Sequence, residues 1–227
     1  MKFRFDLPTV FAFLALMFVC HELHEISHTA TARLQCGCWG QRDFNAWDVC
    51  KACAAGVNSI WATIAGPLLT YDLIWTGFLL MRRNSSPAYR SLGWMLILAN
   101  KPFARLFTVL MRGGDESVIT RYVFQQEKLS AITWIAEIFI VLLLIVPPLV
   151  RIWRSMDKHY RTALFICFLL LPMLIEFALM HKLGNSLLEK GFLHQAGVLG
   201  SPLLVNIWTG VWVIILLLTW KRKSLGH

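Results

Sequence analysis

Long apolar runs separated by short polar segments make up most of this chain. The first run, Leu7 to Cys20, holds fourteen residues, fewer than the about 20 that a helix needs to cross a bilayer. We therefore expect the helix to continue through the polar residues that follow, to about Ala32. Lys2 and Arg4 precede the run, as basic residues precede the core of a signal peptide, but the stretch after Cys20 is too polar for a usual cleavage region.

Five further apolar segments complete a predicted bundle of six transmembrane helices. They run from Ile60 to Met81, about Leu92 to Leu110, Ala131 to Val150, Ala163 to Met180 and about Leu203 to Trp220. The third span contains Asn100, Lys101, Pro102 and Arg105, and Pro102 should kink or open it because proline removes a backbone donor. The fourth span should end at Pro147-Pro148. The expected fold class is all-α, a single polytopic membrane domain over residues 1–227.

Composition and charge agree with a membrane protein and predict its orientation. Hydrophobic residues make up 57% of the chain and charged residues 15%, so no large soluble domain fits. The net charge of +9 does not indicate nucleic acid here, because the basic residues cluster at the ends of spans. The clusters lie at the N-terminus, 82–90, 151–161 and the C-terminus, so both termini should be cytoplasmic. The lipid bilayer is the expected partner, and the oligomeric state is not readable.

The stretch HELHEISH, His21 to His28, ends the first span and contains an HExxH pattern. Residues four apart share a helix face, so His24 and His28 can offer two imidazoles to one metal ion. Glu25 is placed to act as a general base. His21 lies on the same face and is a further candidate ligand. The alternative is a polar helix end in the headgroup region with its histidines in water.

A second polar motif should reach the same depth of the bilayer. The first and third spans both run outward in the predicted topology, and the loop Gly113 to Glu116 follows the third. Charged residues inside spans need partners, and we expect Glu137 and Glu176 to pair with Lys101 or Arg105.

The loop of residues 33–55 between the first two spans carries four cysteines, Cys36, Cys38, Cys50 and Cys53. Outside the cytoplasm they predict two disulfides, and in the cytosol they would predict a four-thiolate zinc site. The predicted orientation favours disulfides, with a connectivity that the sequence does not reveal.

Three stretches together resemble the site-2 protease family of intramembrane zinc metalloproteases. They are HEISH at 24–28, the segment Ala65-Gly66-Pro67-Leu68, and Asn100-Lys101-Pro102 followed by Gly113-Gly114-Asp115. The resemblance covers about the first half of the chain. It implies a three-span protease core over 1–116, including the cysteine loop, and three additional spans over 117–227.

The resemblance also implies roles for individual residues. His24, His28 and Asp115 would bind Zn²⁺, Glu25 would activate water, and Asn100 would hold substrate backbone or the oxyanion. In the family a glycine follows the aspartate, whereas here Gly-Gly precedes it, so the third ligand stays open. The runners-up are Glu116, His21 and Asp72.

The predicted function is therefore an intramembrane zinc metalloprotease that cleaves membrane-embedded or membrane-proximal proteins or peptides. The alternative is a non-proteolytic metal-binding or scaffold protein that keeps the fold. A histidine-rich di-iron oxygenase is less suited, because that chemistry usually needs several histidine clusters and the chain has seven histidines in all.

Overall fold

The computed structural model describes residues 6–53 and 59–225, with the side chains of 221–225 left out. Helices make up 75% of the structure, and its described residues form no strand. Five helices are long and apolar enough to cross a membrane, or six if one bent pair counts as a single span. The predicted fold class, a polytopic helical bundle, is confirmed. Lys2, Arg4, residues 54–55 of the cysteine loop and the side chains of 221–223 lie outside the described residues.

Nine α-helices and two short helical segments follow one another along the described chain. The α-helices are α1 (Leu7–Cys36), α2 (Ile60–Leu80), α3 (Pro87–Ala99), α4 (Pro102–Leu110), α5 (Gly114–Val123), α6 (Ala131–Ser155), α7 (Arg161–Glu176), α8 (Asn185–Glu189) and α9 (Leu203–Leu225). A π-helical segment, Phe177–Gly184, joins α7 to α8, and a 3-10 turn, Val198–Gly200, precedes α9.

Helix α1 carries both the first apolar run and the histidines, as expected. Asp6 caps its start by accepting a hydrogen bond from the Thr9 amide at 2.9 Å, which satisfies one of the free donors of the first turn. Gly37, with φ of 77°, ends the helix, and its amide donates to the Arg33 carbonyl. The 30 residues correspond to a length of about 45 Å.

The third predicted span is broken, as its composition suggested. Helix α3 stops at Ala99 with Asn100 as its C-cap, and Lys101 takes a left-handed conformation with φ of 49°. Pro102 then begins α4, at the position where its missing N–H and its fixed φ are best tolerated. The break therefore lies just before the proline.

Two expectations about helix ends were wrong. Helix α6 continues through Pro147-Pro148 to Ser155, because a long apolar helix can keep its path through proline when neighbouring groups satisfy the freed carbonyls. The segment Gly113–Glu116 is not a loop: it begins α5, with Gly113 as N-cap and Gly114 at φ of 79°. The two acidic residues that follow occupy the first turn, where the helix dipole favours negative charge.

The described chain divides into two compact units. In the central unit, Thr63–Met173, α4 packs against α5 and α6 around a cluster of Val109, Val141 and Ile145. Helices α2 and α3 approach closely there, because a Cβ added at Gly77 would lie 2.6 Å from the Gly93 carbonyl oxygen.

The terminal unit comprises the described residues of Phe3–Ala62 and Leu174–His227. Its main packing joins α1 to α9, where the ring of Phe18 contacts Trp208 and Trp212 with centroid separations of 5.0 and 4.6 Å. Phe18 is 2% exposed, so this aromatic cluster forms the centre of the contact.

Candidate metal centre

His24 and His28, one turn apart on α1, bring their side chains together. The two Nε2 atoms are 3.1 Å apart and the rings are perpendicular. The Nδ1 atom of His28 lies 2.6 Å from the carbonyl oxygen of Ala62; a carbonyl only accepts, so Nδ1 carries a proton. The lone pair of a neutral His28 is therefore on Nε2, the atom that faces His24.

This geometry fits two ligands of one tetrahedral zinc ion. Zinc–nitrogen distances of about 2.0–2.1 Å place two such ligands roughly 3.3 Å apart, close to the 3.1 Å between the two Nε2 atoms. Ligating histidines also usually donate their other N–H to a carboxylate or a backbone carbonyl, as His28 does to Ala62. Without an ion, the same contact is a hydrogen bond in which His24 Nε2 donates to His28 Nε2.

The cysteine loop packs against His28 of the pair. The indole of Trp47 stacks on the His28 ring, with a centroid separation of 5.0 Å and an angle of 14° between the planes. His28 is 1% exposed and His24 5% exposed, so both imidazoles lie in a poorly solvated place. We call residues 37–53, which contribute this contact, the cysteine cap.

Two disulfides hold the cysteine cap. Cys36–Cys53 joins its end to the last residue of α1, and Cys38–Cys50 closes it internally. Their Cα atoms are 4.8 and 6.0 Å apart, within the range that disulfides require. The prediction of two disulfides is confirmed, and the alternative of a four-thiolate zinc site is not supported.

A buried ion pair anchors the cysteine cap to α1. The guanidinium of Arg42 donates to the carboxylate of Glu22, and its Nε donates to Ser201 Oγ at 2.6 Å. The Arg42 side chain is 0% exposed and the Glu22 side chain 6% exposed. This arrangement ties the loop to the helix turn that precedes the two histidines.

His21, a candidate rival ligand, has both ring nitrogens engaged. Nε2 lies 2.7 Å from the Phe44 carbonyl oxygen, and Nδ1 lies 3.1 Å from a carboxylate oxygen of Glu176. Both partners are acceptors, so His21 carries two protons when Glu176 is ionised. The Nε2 atom is also 3.9 Å from Glu25. Glu176 thus has a partner other than the expected Lys101 or Arg105.

The candidate acidic ligands Asp115 and Glu116 belong to the central unit, where they share one cation. Nη1 of Arg105 lies 3.4 Å from Asp115 and 3.7 Å from Glu116. Glu116 also accepts a hydrogen bond from the Tyr71 hydroxyl at 3.0 Å, and its side chain is 8% exposed against 23% for Asp115. Asp115 is therefore the more exposed of the two carboxylates.

The remaining predicted residues of the central unit have local partners or an exposed position. Asn100 donates from its side-chain amide to the Leu96 carbonyl at 2.8 Å, which uses one of its two N–H groups in the helix cap. Asp72 lies at an exposed position of α2. Glu137 accepts a hydrogen bond from Ser117 at 2.7 Å. The expectation that Glu137 pairs with Lys101 or Arg105 was therefore wrong.

The groups that orient the histidines could not be predicted from the sequence. The Ala62 and Phe44 carbonyls are backbone atoms, which any residue carries, and no spacing marks them. Trp47 lies among polar loop residues and nineteen positions after its partner His28. The available signal was an aromatic residue inside a segment that four cysteines enclose.

Fold and site together define a class: a polytopic helical membrane protein with a buried histidine pair under a disulfide-closed cap. Among known proteins, no family model, no curated protein and no solved structure matches this chain. The resemblance to the site-2 protease family rests on the sequence motifs.

Proposed function

We propose that this protein is a zinc metallopeptidase of the site-2 protease type, which hydrolyses peptide bonds of membrane-embedded or membrane-proximal substrates. One observation carries the proposal. The HExxH histidines converge through their Nε2 atoms at 3.1 Å, with His28 oriented by the Ala62 carbonyl, and Glu25 follows His24 directly in the sequence.

The chemistry divides between the metal and the chain. Zinc, when bound, supplies a Lewis acid that polarises the scissile carbonyl and makes water more acidic. The Glu25 carboxylate takes a proton from the attacking water and passes it to the leaving amine. A helical substrate has to unwind locally, since its amides are otherwise bonded internally. The opened substrate strand would lie along the break before Pro102, where Lys101 leaves the helical conformation.

The third protein ligand is an acid from the start of α5, Asp115 first and Glu116 second. Two imidazoles fill half of a tetrahedral site, and catalytic zinc usually has three protein ligands. The choice of Asp115 comes from the sequence resemblance. Asp115→Ala should lose most of the zinc, while His21→Ala should leave zinc largely bound. If only His21→Ala loses zinc, the third ligand is His21 and the resemblance fails at that position.

The disulfides support the orientation in which the cysteine cap lies outside the cytoplasm, since disulfides persist in oxidising compartments. Both termini would then be cytoplasmic. Labelling of single cysteines placed at residues 41, 86 and 223 tests this, because Gln41 is an exposed residue of the cap; residue 41 should react from outside and the other two from inside. Cytoplasmic labelling at residue 41 would overturn the orientation.

The burial of the pair favours a second candidate, a metal-binding scaffold without peptidase activity. His24, Glu25 and His28 are 5%, 4% and 1% exposed, and Trp47 covers one ring, as expected of a closed structural site. In this case the metal would stabilise the fold and Glu25 would have no catalytic role.

Metal analysis of the purified protein separates these functions. We expect about one zinc per chain in the wild type and its loss in His24→Ala, with His159→Ala, an exposed histidine, as the matched control. Glu25→Gln should keep zinc and abolish peptidase turnover if the protein is an enzyme. If Glu25→Gln keeps its zinc and the wild-type stability, and neither protein has peptidase turnover, the scaffold is favoured. A wild-type protein without metal would refute both the peptidase and the metal-binding scaffold.

A further inference from the structure

A second region of the molecule combines a cavity with a concentration of positive charge. In the central unit, a cavity of about 760 Å³ lies where α2 and α6 end. Four arginines line it, and most of the remaining lining is apolar: Arg83, Arg90, Arg151 and Arg154 with Phe78, Met81, Pro147 and Val150. Its volume is within the roughly 300–1,000 Å³ of small-molecule sites.

The positive charge of this cavity is not balanced locally. Neither lining segment, 78–90 or 147–155, contains an aspartate or a glutamate. Within residues 6–53 and 59–225, none of the four arginines forms a salt bridge. Clustered like charges repel one another and attract an anion.

One of the arginines is held in place by apolar and backbone contacts. Arg151 donates to the Phe78 carbonyl at 3.1 Å, and its guanidinium lies 4.0 Å from the centroid of the Phe78 ring. A guanidinium fixed in this way keeps its remaining donors in a defined direction, which favours binding of an oxyanion through two parallel hydrogen bonds.

We infer that this cavity binds the headgroup of an anionic phospholipid. The phosphodiester would be held by the arginines, and the start of an acyl chain would contact the apolar lining. A lipid fits better than free phosphate because a small anion would make no apolar contact with the lining, whereas an acyl chain would. The cavity also lies at the ends of two candidate spans, the depth at which headgroups occur, and basic pockets between transmembrane helices bind such headgroups.

Basic residues at the ends of spans also set membrane orientation, so the inference needs a test that separates a site from general attraction. General attraction depends on how many charges lie near the surface, whereas a site depends on which ones. Arg82 and Lys158 provide the control, because they are exposed cations close in sequence to the lining arginines but do not themselves line the cavity.

The experiment measures lipid retention on the full chain by native mass spectrometry in detergent. Phosphatidylglycerol, phosphatidylcholine and free glycerol 3-phosphate serve as probes. We expect selective retention of phosphatidylglycerol. One basic residue near an anionic surface raises lipid affinity about fivefold. The Arg83→Gln/Arg154→Gln double variant loses two, so it should bind phosphatidylglycerol roughly thirty-fold more weakly. The Arg82→Gln/Lys158→Gln double variant should change binding less than about threefold.

Three outcomes would overturn the inference. Equal loss in both double variants would mean general attraction, equal retention of phosphatidylcholine would mean no charge selectivity, and glycerol 3-phosphate binding as tightly as the lipid would mean a free-anion site. Circular dichroism checks that each variant is folded. If the cavity double variant does not fold, Arg90→Gln alone should still lower phosphatidylglycerol retention about fivefold, and unchanged retention would refute the site.

Discussion

Removal of Arg42 should destabilise the terminal unit strongly, because it leaves a charge buried without its partner. In the wild type the Arg42 side chain is 0% exposed, the Glu22 side chain is 6% exposed, and Arg42 also bonds to Ser201. Breaking a buried ion pair by removing one member costs about 3–5 kcal/mol. For a chain of this size, that corresponds to a decrease in Tm of roughly 6–20 °C.

The assay is thermal unfolding of Arg42→Ala in detergent without reductant, so that both disulfides stay closed. Lys51→Ala is the matched control: it removes a cation from the same loop at an exposed position, and should change stability by less than about 0.5 kcal/mol. The loss in Arg42→Ala should persist at high salt, since ions screen buried pairs poorly.

A double variant completes the cycle. Glu22→Leu/Arg42→Met replaces both charges by apolar side chains of similar volume, and should recover most of the lost stability because no charge is left unpaired. A loss below about 1 kcal/mol in Arg42→Ala would show that water reaches the pair. An equal loss in the single and double variants would show that packing, and not charge, determines the cost.

Two further predictions concern the cysteine cap and the close helix contact of the central unit. If His28 is a zinc ligand as proposed, Cys38→Ser/Cys50→Ser should weaken zinc affinity about 10–100-fold, because Trp47 loses its fixed position over the His28 ring. Competition with a chelator measures this affinity, and an unchanged value would contradict the role of Trp47. Gly93→Ala should lower Tm, because its Cβ would clash with the Gly77 carbonyl oxygen of α2, whereas Gly210→Ala, whose Cβ would enter open space, should not.

The sequence predicted the helices well because the bilayer imposes a simple rule on them. A long apolar run must satisfy its backbone internally, so α1, α2 and α9 could be located from composition alone. The end of the fourth span was wrongly predicted at Pro147-Pro148, because a proline pair stops a helix in water more reliably than inside an apolar bundle. The start of α5 was missed since glycines indicate a turn and also suit a helix N-terminus.

The candidate site was predictable only where it is local. The contact between His24 and His28 follows from their spacing, because a helix places side chains four residues apart on the same face whatever surrounds it. The carbonyl of Ala62, the indole of Trp47 and the contact of His21 with Glu176 depend on how distant segments pack. Glu176 lies 155 positions from His21, a distance over which no periodicity carries information.

The length of α1 links the histidine pair to the thickness of the membrane. From Leu7, a hydrocarbon layer of about 30 Å takes up roughly 20 residues of an upright helix, which ends near Ile26, between His24 and His28. The last ten residues of α1, Ser27 to Cys36, then extend past the acyl chains. A thicker bilayer would draw the pair into hydrocarbon and a thinner one would bring it toward water. In the proposed metal site, hydrophobic mismatch would therefore set how readily an ion reaches the two imidazoles.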